Sequence, residues 1–155
     1  MQFRWIAAVA VVAFAFSSQV LACGDSLYRV GTGVSYRVYT APLPGNVLVY
    51  GQSEGAEQLA AELAKSGHGV HLVQNEADLA SEMEKGGYDV VIAPYSEHVA
   101  VEARQGGSGV EFIPVAQSAE EEKAAMQSYD RVLVANDAEI KHYLKAIHKA
   151  LKSKA

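Results

Sequence analysis

Two short segments hold the side chains at which chemistry is first sought in this chain. Val-Tyr-Gly-Gln-Ser (Val49 to Ser53) and Val-Ile-Ala-Pro-Tyr (Val91 to Tyr95) each close an apolar run and lead into a helical pattern. In open α/β sheets, ligands bind where strands end and helices begin. Gly51 and Pro94 shape these two junctions. Gln52, Ser53, Tyr95 and Ser96, joined by Gln117 and Asn136 from later junctions, offer neutral hydrogen-bonding groups. These six form a candidate crevice for a small polar ligand. The same residue types also serve as helix caps and turn formers, so a purely structural reading stands beside the ligand reading. None of the six is a carboxylate, and a divalent cation such as magnesium needs hard oxygen ligands.

The remaining reactive residues do not assemble into a site. Five histidines are present, at positions 68, 71, 98, 142 and 148, without a His-Glu-x-x-His or comparable cluster. His142 and His148 are six apart and do not share a helix face. Ser96 and His98, two apart at a helix start, do not face each other, and there is no nucleophile elbow. Cys23 is the sole cysteine, so no intramolecular disulfide can form. Nothing near it lowers a thiol pKa, and the chain has no second soft metal ligand. The expectation is a non-enzymatic protein without metal or cofactor.

The N-terminus reads as an export signal over residues 1–22. Arg4 supplies a positive start, Trp5 to Phe16 is apolar, and Val20-Leu21-Ala22 offers small residues before a cleavage point. The apolar run is too short to span a bilayer comfortably. Cleavage leaves Cys23 at the mature N-terminus. Val-Leu-Ala-Cys resembles a bacterial lipobox, although Leu21 is unusual at its position in that pattern. Two readings of Cys23 stay open: a lipidated anchor, or a thiol left free or paired with another chain. Lipid at Cys23 is the only membrane attachment expected; one acyl chain holds weakly, and several hold firmly.

Removing the leader removes one cation, Arg4, and takes the formal net charge from −5 to −6. The acidic balance argues against non-specific nucleic-acid binding, which needs clustered cations. About 130 residues remain, enough for one domain with one core.

Periodicity divides that remainder in two. Residues 23–45 hold two Tyr- and Val-rich runs, Leu27 to Val30 and Val34 to Tyr39, around Gly31-Thr32-Gly33. They predict a small β-hairpin followed by a stiff Pro-Gly linker. Residues 46–155 alternate apolar strands with helices. The strands fall at Val47–Tyr50, Val70–Val73, Val90–Ala93, Val110–Val115 and Arg131–Ala135. Ser53, Asn75, Ser118 and Asp137 stand where N-caps belong, and Glu97 to Arg104 reads as helix. Short connections of this kind predict an α/β fold: a doubly wound five-stranded parallel sheet of order 2-1-3-4-5 with helices on both faces.

Element order and local texture from Asn46 to about Lys152 resemble the response-regulator receiver family. Asn46-Val-Leu-Val-Tyr is similar to a receiver's first strand, Gly87-Tyr-Asp-Val-Val-Ile to the approach to its third, and Tyr129-Asp-Arg-Val-Leu-Val to its fifth. The resemblance implies a phosphorylation switch, yet its functional positions are substituted. Gly51 and Gln52 stand where receivers carry two acids, Ala93 where the phosphoacceptor aspartate belongs, Ala116 for the hydroxyl residue, and Ala135 and Asn136 for lysine and proline. Phosphoryl transfer needs a nucleophile and charge neutralisation, and neither is supplied. An exported domain would also not meet a receiver's cytoplasmic kinase.

What remains is surface. Tyr28, Arg29, Tyr36, Arg37 and Tyr39 of the expected hairpin are residue types enriched at interaction hot spots, and they form one candidate partner surface. They also suit the covering of a sheet edge. The last helix is the second candidate, with Lys141, Lys145, Lys149, Lys152 and Lys154 opposite an apolar stripe. The reading is an exported pseudo-receiver in the bacterial periplasm or cell envelope that binds a protein partner. The alternative is a binder of a small polar ligand in the crevice. Intact mass of the protein from a native membrane fraction is expected to show a chain starting at Cys23, and it reports any acyl mass in the same measurement.

Overall fold

The computed structural model describes residues 40–105, 109–136 and 138–154. The expected signal, Cys23, the hairpin with its five candidate contact residues, and the Asp137 cap lie outside the described residues. Five strands alternate with helices: β1 (Asn46–Tyr50), α1 (Glu54–Lys65), β2 (Gly69–Val73), α2 (Glu76–Lys85), β3 (Val90–Pro94), a 3-10 turn (Tyr95–Glu97), α3 (His98–Gln105), β4 (Glu111–Ala116), α4 (Ala119–Ser128), β5 (Leu133–Val134) and α5 (Ile140–Lys154). All neighbouring strands pair in parallel, in the order β2-β1-β3-β4-β5. This is the sheet that the sequence predicts.

The two-residue repeat of the strands divides the core. Val47 and Val49 of β1, with Val90 and Ile92 of β3, face α1 and α5, where they meet Leu59, Leu63, Tyr143 and Ile147. Leu48 and Tyr50, with Val91 and Ala93, face the other way toward Leu79, Met83 and Val101 of α2 and α3. Strands buried on both faces need apolar side chains at successive positions, which is why they read as continuous apolar runs. Truncating such a fully buried leucine typically costs about 2–5 kcal/mol.

The helices start where the sequence marks them. Ser53 accepts from the Ala56 N–H at 3.2 Å, Asn75 from Asp78 at 2.8 Å and Ser118 from Glu121 at 3.2 Å. Each satisfies one of the unpaired donors of a first turn. Gly86 ends α2 with φ at +69°, a conformation that side chains disfavour.

Strands β1 to β4 keep their expected places with ends shifted by one residue, and two further differences concern α3 and β5. α3 begins at His98 rather than Glu97, after a 3-10 turn that has no side-chain cap. β5 pairs over two residues instead of five, with Val115 opposite Leu133 and Ala116 opposite Val134. Pro114 explains the shortening. The Ala135 N–H donates to the Ala116 carbonyl, so by alternation residues 114 and 116 turn their backbone groups toward β5. Proline has no N–H to give, and the ladder cannot extend back toward Arg131. A side-chain bond between Arg131 and Glu111 ties that end instead.

At the N-terminal side of the sheet, Ala41 is buried and its N–H donates to the Ser66 carbonyl at 2.7 Å. His68 is buried beside it, and its Nδ1 accepts from the Gly45 N–H at 3.2 Å. That bond requires an unprotonated Nδ1, and burial holds the ring below the ordinary histidine value. The folded ring therefore takes a proton less readily than the unfolded chain. Its contribution to stability is complete above about pH 6.5 and is lost as pH falls through the folded value. In an NMR titration the His68 ring is expected to show a midpoint below about 6.5; a midpoint at or above it would contradict this buried contact.

Candidate functional site

The C-terminal ends of the strands form the crevice, and its floor is made of methyl groups. Ala93 and Ala116 are 0% exposed and Ala135 is 1% exposed. Ala93 packs among Leu48, Tyr50, Val91 and Phe112. Gly51 continues the ladder, its N–H donating to the Val73 carbonyl at 3.0 Å. No strand end carries a carboxylate, so a phosphoryl group placed over β3 would meet a methyl rather than a nucleophile.

The six candidate crevice residues are spread over several tasks. The Ser53 hydroxyl caps α1. The Gln117 N–H donates to Glu121 Oε2 at 2.8 Å, which completes the start of α4. Tyr95 stacks on His98 with ring centroids 4.6 Å apart and meets Tyr129 edge-on at 6.4 Å. Gln52, Ser96 and Asn136 are exposed. His98 Nδ1–H donates to the Tyr95 carbonyl at 2.8 Å, so that nitrogen is taken by the backbone and not by Ser96.

The other histidines are held in separate places. His71 Nδ1 lies 3.8 Å from Glu82, and His142 Nδ1 accepts from the Glu139 N–H at the start of α5. Among the described residues no group of three or more His, Cys, Asp or Glu side chains could hold a metal ion.

The charged groups at this end come from helices. Tyr50 closes β1, and its phenol is raised above the ordinary value, first by burial and then by the carboxylates of Glu97 and Glu76. Arg104 opposes this effect and pairs with Glu76 at 2.9 Å. Tyr50, Glu76, Glu97 and Arg104 are absent from the candidates read from sequence. The one sequence signal was a tyrosine closing an apolar run; the other three join it only through the fold.

Two cavities stand out among the described residues, and none of the six crevice residues lines either. The larger, about 430 Å³, runs between α4, β5 and α5. Leu133 and Val134 lie along it, Met126 of α4 flanks one side, and His142, Lys145 and Lys149 of α5 flank the other. These three follow one another at intervals of three and four, so a single stripe of the helix supplies them. Met126 is 60% exposed, a high value for a large apolar side chain. A second cavity of about 270 Å³ lies near the start of β4, lined by Gln105, Glu111 and Ser128 among others.

The architecture places the chain among receiver-like, flavodoxin-like α/β folds. A crystal structure of a Sinorhizobium meliloti 1021 protein described as the pilus assembly protein CpaE2 superposes with a TM-score of 0.51 at 14% identity, over 68% of this chain and 98% of that one. At that identity the likeness establishes the fold and nothing finer. No protein-family model matches the sequence, and no curated protein does. No helix among the described residues is long and apolar enough to cross a membrane.

The floor of the crevice can be tested directly. Ala93→Asp places a carboxylate at a position with no exposure, packed among Leu48, Tyr50, Val91 and Phe112. Chemical denaturation is expected to show a loss of about 3 kcal/mol or more. Stability equal to that of the native chain would mean that solvent or a counter-charge reaches the end of β3.

Proposed function

We propose that this chain is an exported, non-enzymatic pseudo-receiver that works by binding a protein partner in the cell envelope. One observation carries the reading: the place of a receiver's chemistry is a packed floor of alanine methyls around Ala93, while the open relief of the domain lies along α5. A degenerate receiver of this kind keeps the scaffold and acts through its surfaces. The leader-like residues 1–22 and the candidate lipid site Cys23 favour the envelope as its compartment.

The groove beside α5 is the surface this reading uses. It joins an apolar strip (Met126, Leu133, Val134) to a basic rim (His142, Lys145, Lys149). A partner segment that fits is apolar on one side and acidic on the other. The apolar part supplies burial and the charges set orientation and capture rate. The basic rim is local, because the chain as a whole is acidic. The structural neighbour's description as a pilus assembly protein supports an assembly of the cell surface as the setting.

The test is cross-linking in a native envelope fraction, comparing the wild type with a Lys145→Glu, Lys149→Glu double variant. Both lysines are exposed, so the melting temperature is expected to stay within a few degrees. A specific envelope protein is expected to be captured by the wild type and lost, by about tenfold or more, with the variant. Identical capture by both would overturn the surface assignment. A small polar metabolite that raises the melting temperature of both by several degrees would favour the crevice instead.

A further inference from the structure

His71 and Glu82 face each other at the edge of the sheet without a hydrogen bond. The His71 Nδ1 stands 3.8 Å from Glu82 Oε2, too far for one. Two ligand atoms on one tetrahedral zinc ion, each about 2.0–2.2 Å from it, stand about 3.4 Å apart. The pair is thus close to the spacing that a shared ion imposes. Both groups are held from behind. The Tyr88 hydroxyl donates to Glu82 Oε2 at 2.7 Å, and Lys85 Nζ donates to Oε1 at 2.6 Å. Tyr88 also meets the His71 ring edge-on, with centroids 6.3 Å apart. Outer hydrogen bonds of this kind fix metal-binding carboxylates, and a carboxylate oxygen has a second lone pair for an ion. What one chain lacks is number. Among the described residues no third His, Cys, Asp or Glu joins the pair, and a closed zinc site has four ligands.

A second copy can supply the other two, because His71 lies on β2. This strand begins the sheet order, and among the described residues no strand pairs with its outer side. The Gly69 N–H donates to the Gly45 carbonyl and the Val73 carbonyl accepts from the Gly51 N–H, both at 3.0 Å. Residues 69, 71 and 73 therefore turn their backbone groups to β1. By alternation, Val70 and Leu72 turn theirs outward. The strand carries no lysine, no proline and no bulge, the usual guards of an edge. Its outward groups complement a copy of themselves. With a two-fold axis beside His71, an antiparallel second β2 sets Val70 opposite Leu72 of that copy, and each such pair exchanges two hydrogen bonds. Val70 and Leu72 are only partly buried on the α1–α5 side, and in this register they cover one another. On the other side the two His71 rings become a non-hydrogen-bonded pair, in which side chains approach most closely.

We propose that two copies of this chain join through β2 and bind a divalent transition-metal ion of the zinc class between them, held by His71 and Glu82 of each copy. Two imidazole nitrogens and two carboxylate oxygens form a set that zinc accepts. The ion also selects the register, since only a pairing centred on His71 brings both half-sites to the axis. β2 and β5 are opposite ends of the sheet, so this dimer leaves the groove over β5 clear for a partner.

The test uses the full untagged chain with Cys23→Ser, which removes the sole thiol, in sedimentation velocity with EDTA or with zinc chloride. Zinc is expected to strengthen dimerisation about tenfold or more, with one ion per two chains by elemental analysis. His71→Ala is expected to abolish that gain. The ring is half exposed, so the melting temperature of this variant stays within a few degrees. A monomer at every zinc concentration, one ion per chain, or a zinc-driven dimer that persists in His71→Ala would each overturn the proposal. The pairing itself is read in EDTA from a single cysteine. His71→Cys in the Cys23→Ser chain is expected to oxidise to a dimer across the axis, with at least about tenfold the yield of Lys123→Cys, an exposed position on α4. Equal yields from the two would mean random collision and would sink the β2 interface.

Discussion

β3 is buried along its whole length, and the rest of the domain follows from that. It lies between β1, which pairs with Val90–Ile92, and β4, which pairs with all five of its residues. Its side chains alternate between two cores, with Val90 and Ile92 in one and Val91 and Ala93 in the other. A strand in this position needs a helix layer on each face, and the alternating chain supplies both. The same requirement shapes the crevice. The last turn of a wholly buried strand can carry a charge only if partners surround it, and here Gly51, Ala116 and Ala135 offer none. Alanine at position 93 fits a floor that is closed from every side.

Much of this was legible in the sequence because the determining signals are local. The four-residue apolar run at Val47, the caps at Ser53, Asn75 and Ser118, and the Gly86 stop each act within one turn of chain. Together with short connections they leave few topologies. The short β5 was not legible from its own residues: Arg131 to Ala135 reads as a strand. What limits it is Pro114, a residue on a different strand whose missing donor matters only once the two are neighbours. The acid–base group around Tyr50 has the same origin. Glu76, Glu97 and Arg104 are ordinary helix residues until the fold brings them to the end of β1. The lysines of α5 are visible as a stripe, but Met126, which makes the other wall of the groove, lies on a helix whose sequence gives no hint of that relation.

Electrostatics divides the described surface in a simple way. Carboxylates gather where helices begin, as at Glu120 to Glu122 of α4, where they favour the dipole. Lys152 and Lys154 occupy the last turn of α5 for the complementary reason. Glu82 departs from this pattern, as do Glu62 and Glu84, since it sits late in its helix. Its two donors explain this, as Lys85 and then Tyr88 hold its carboxyl below the usual range. In return burial, and then Glu82 itself, push the Tyr88 phenol up to about 12. The pair fastens the end of α2 to the approach to β3.

Pro114 has an effect larger than its own bond. A ladder that closes after two residues is too brief a template to seed another strand beside it. The sheet stops growing there without a charged guard or a kink. One ring nitrogen in the fourth strand thus limits the described sheet on that flank.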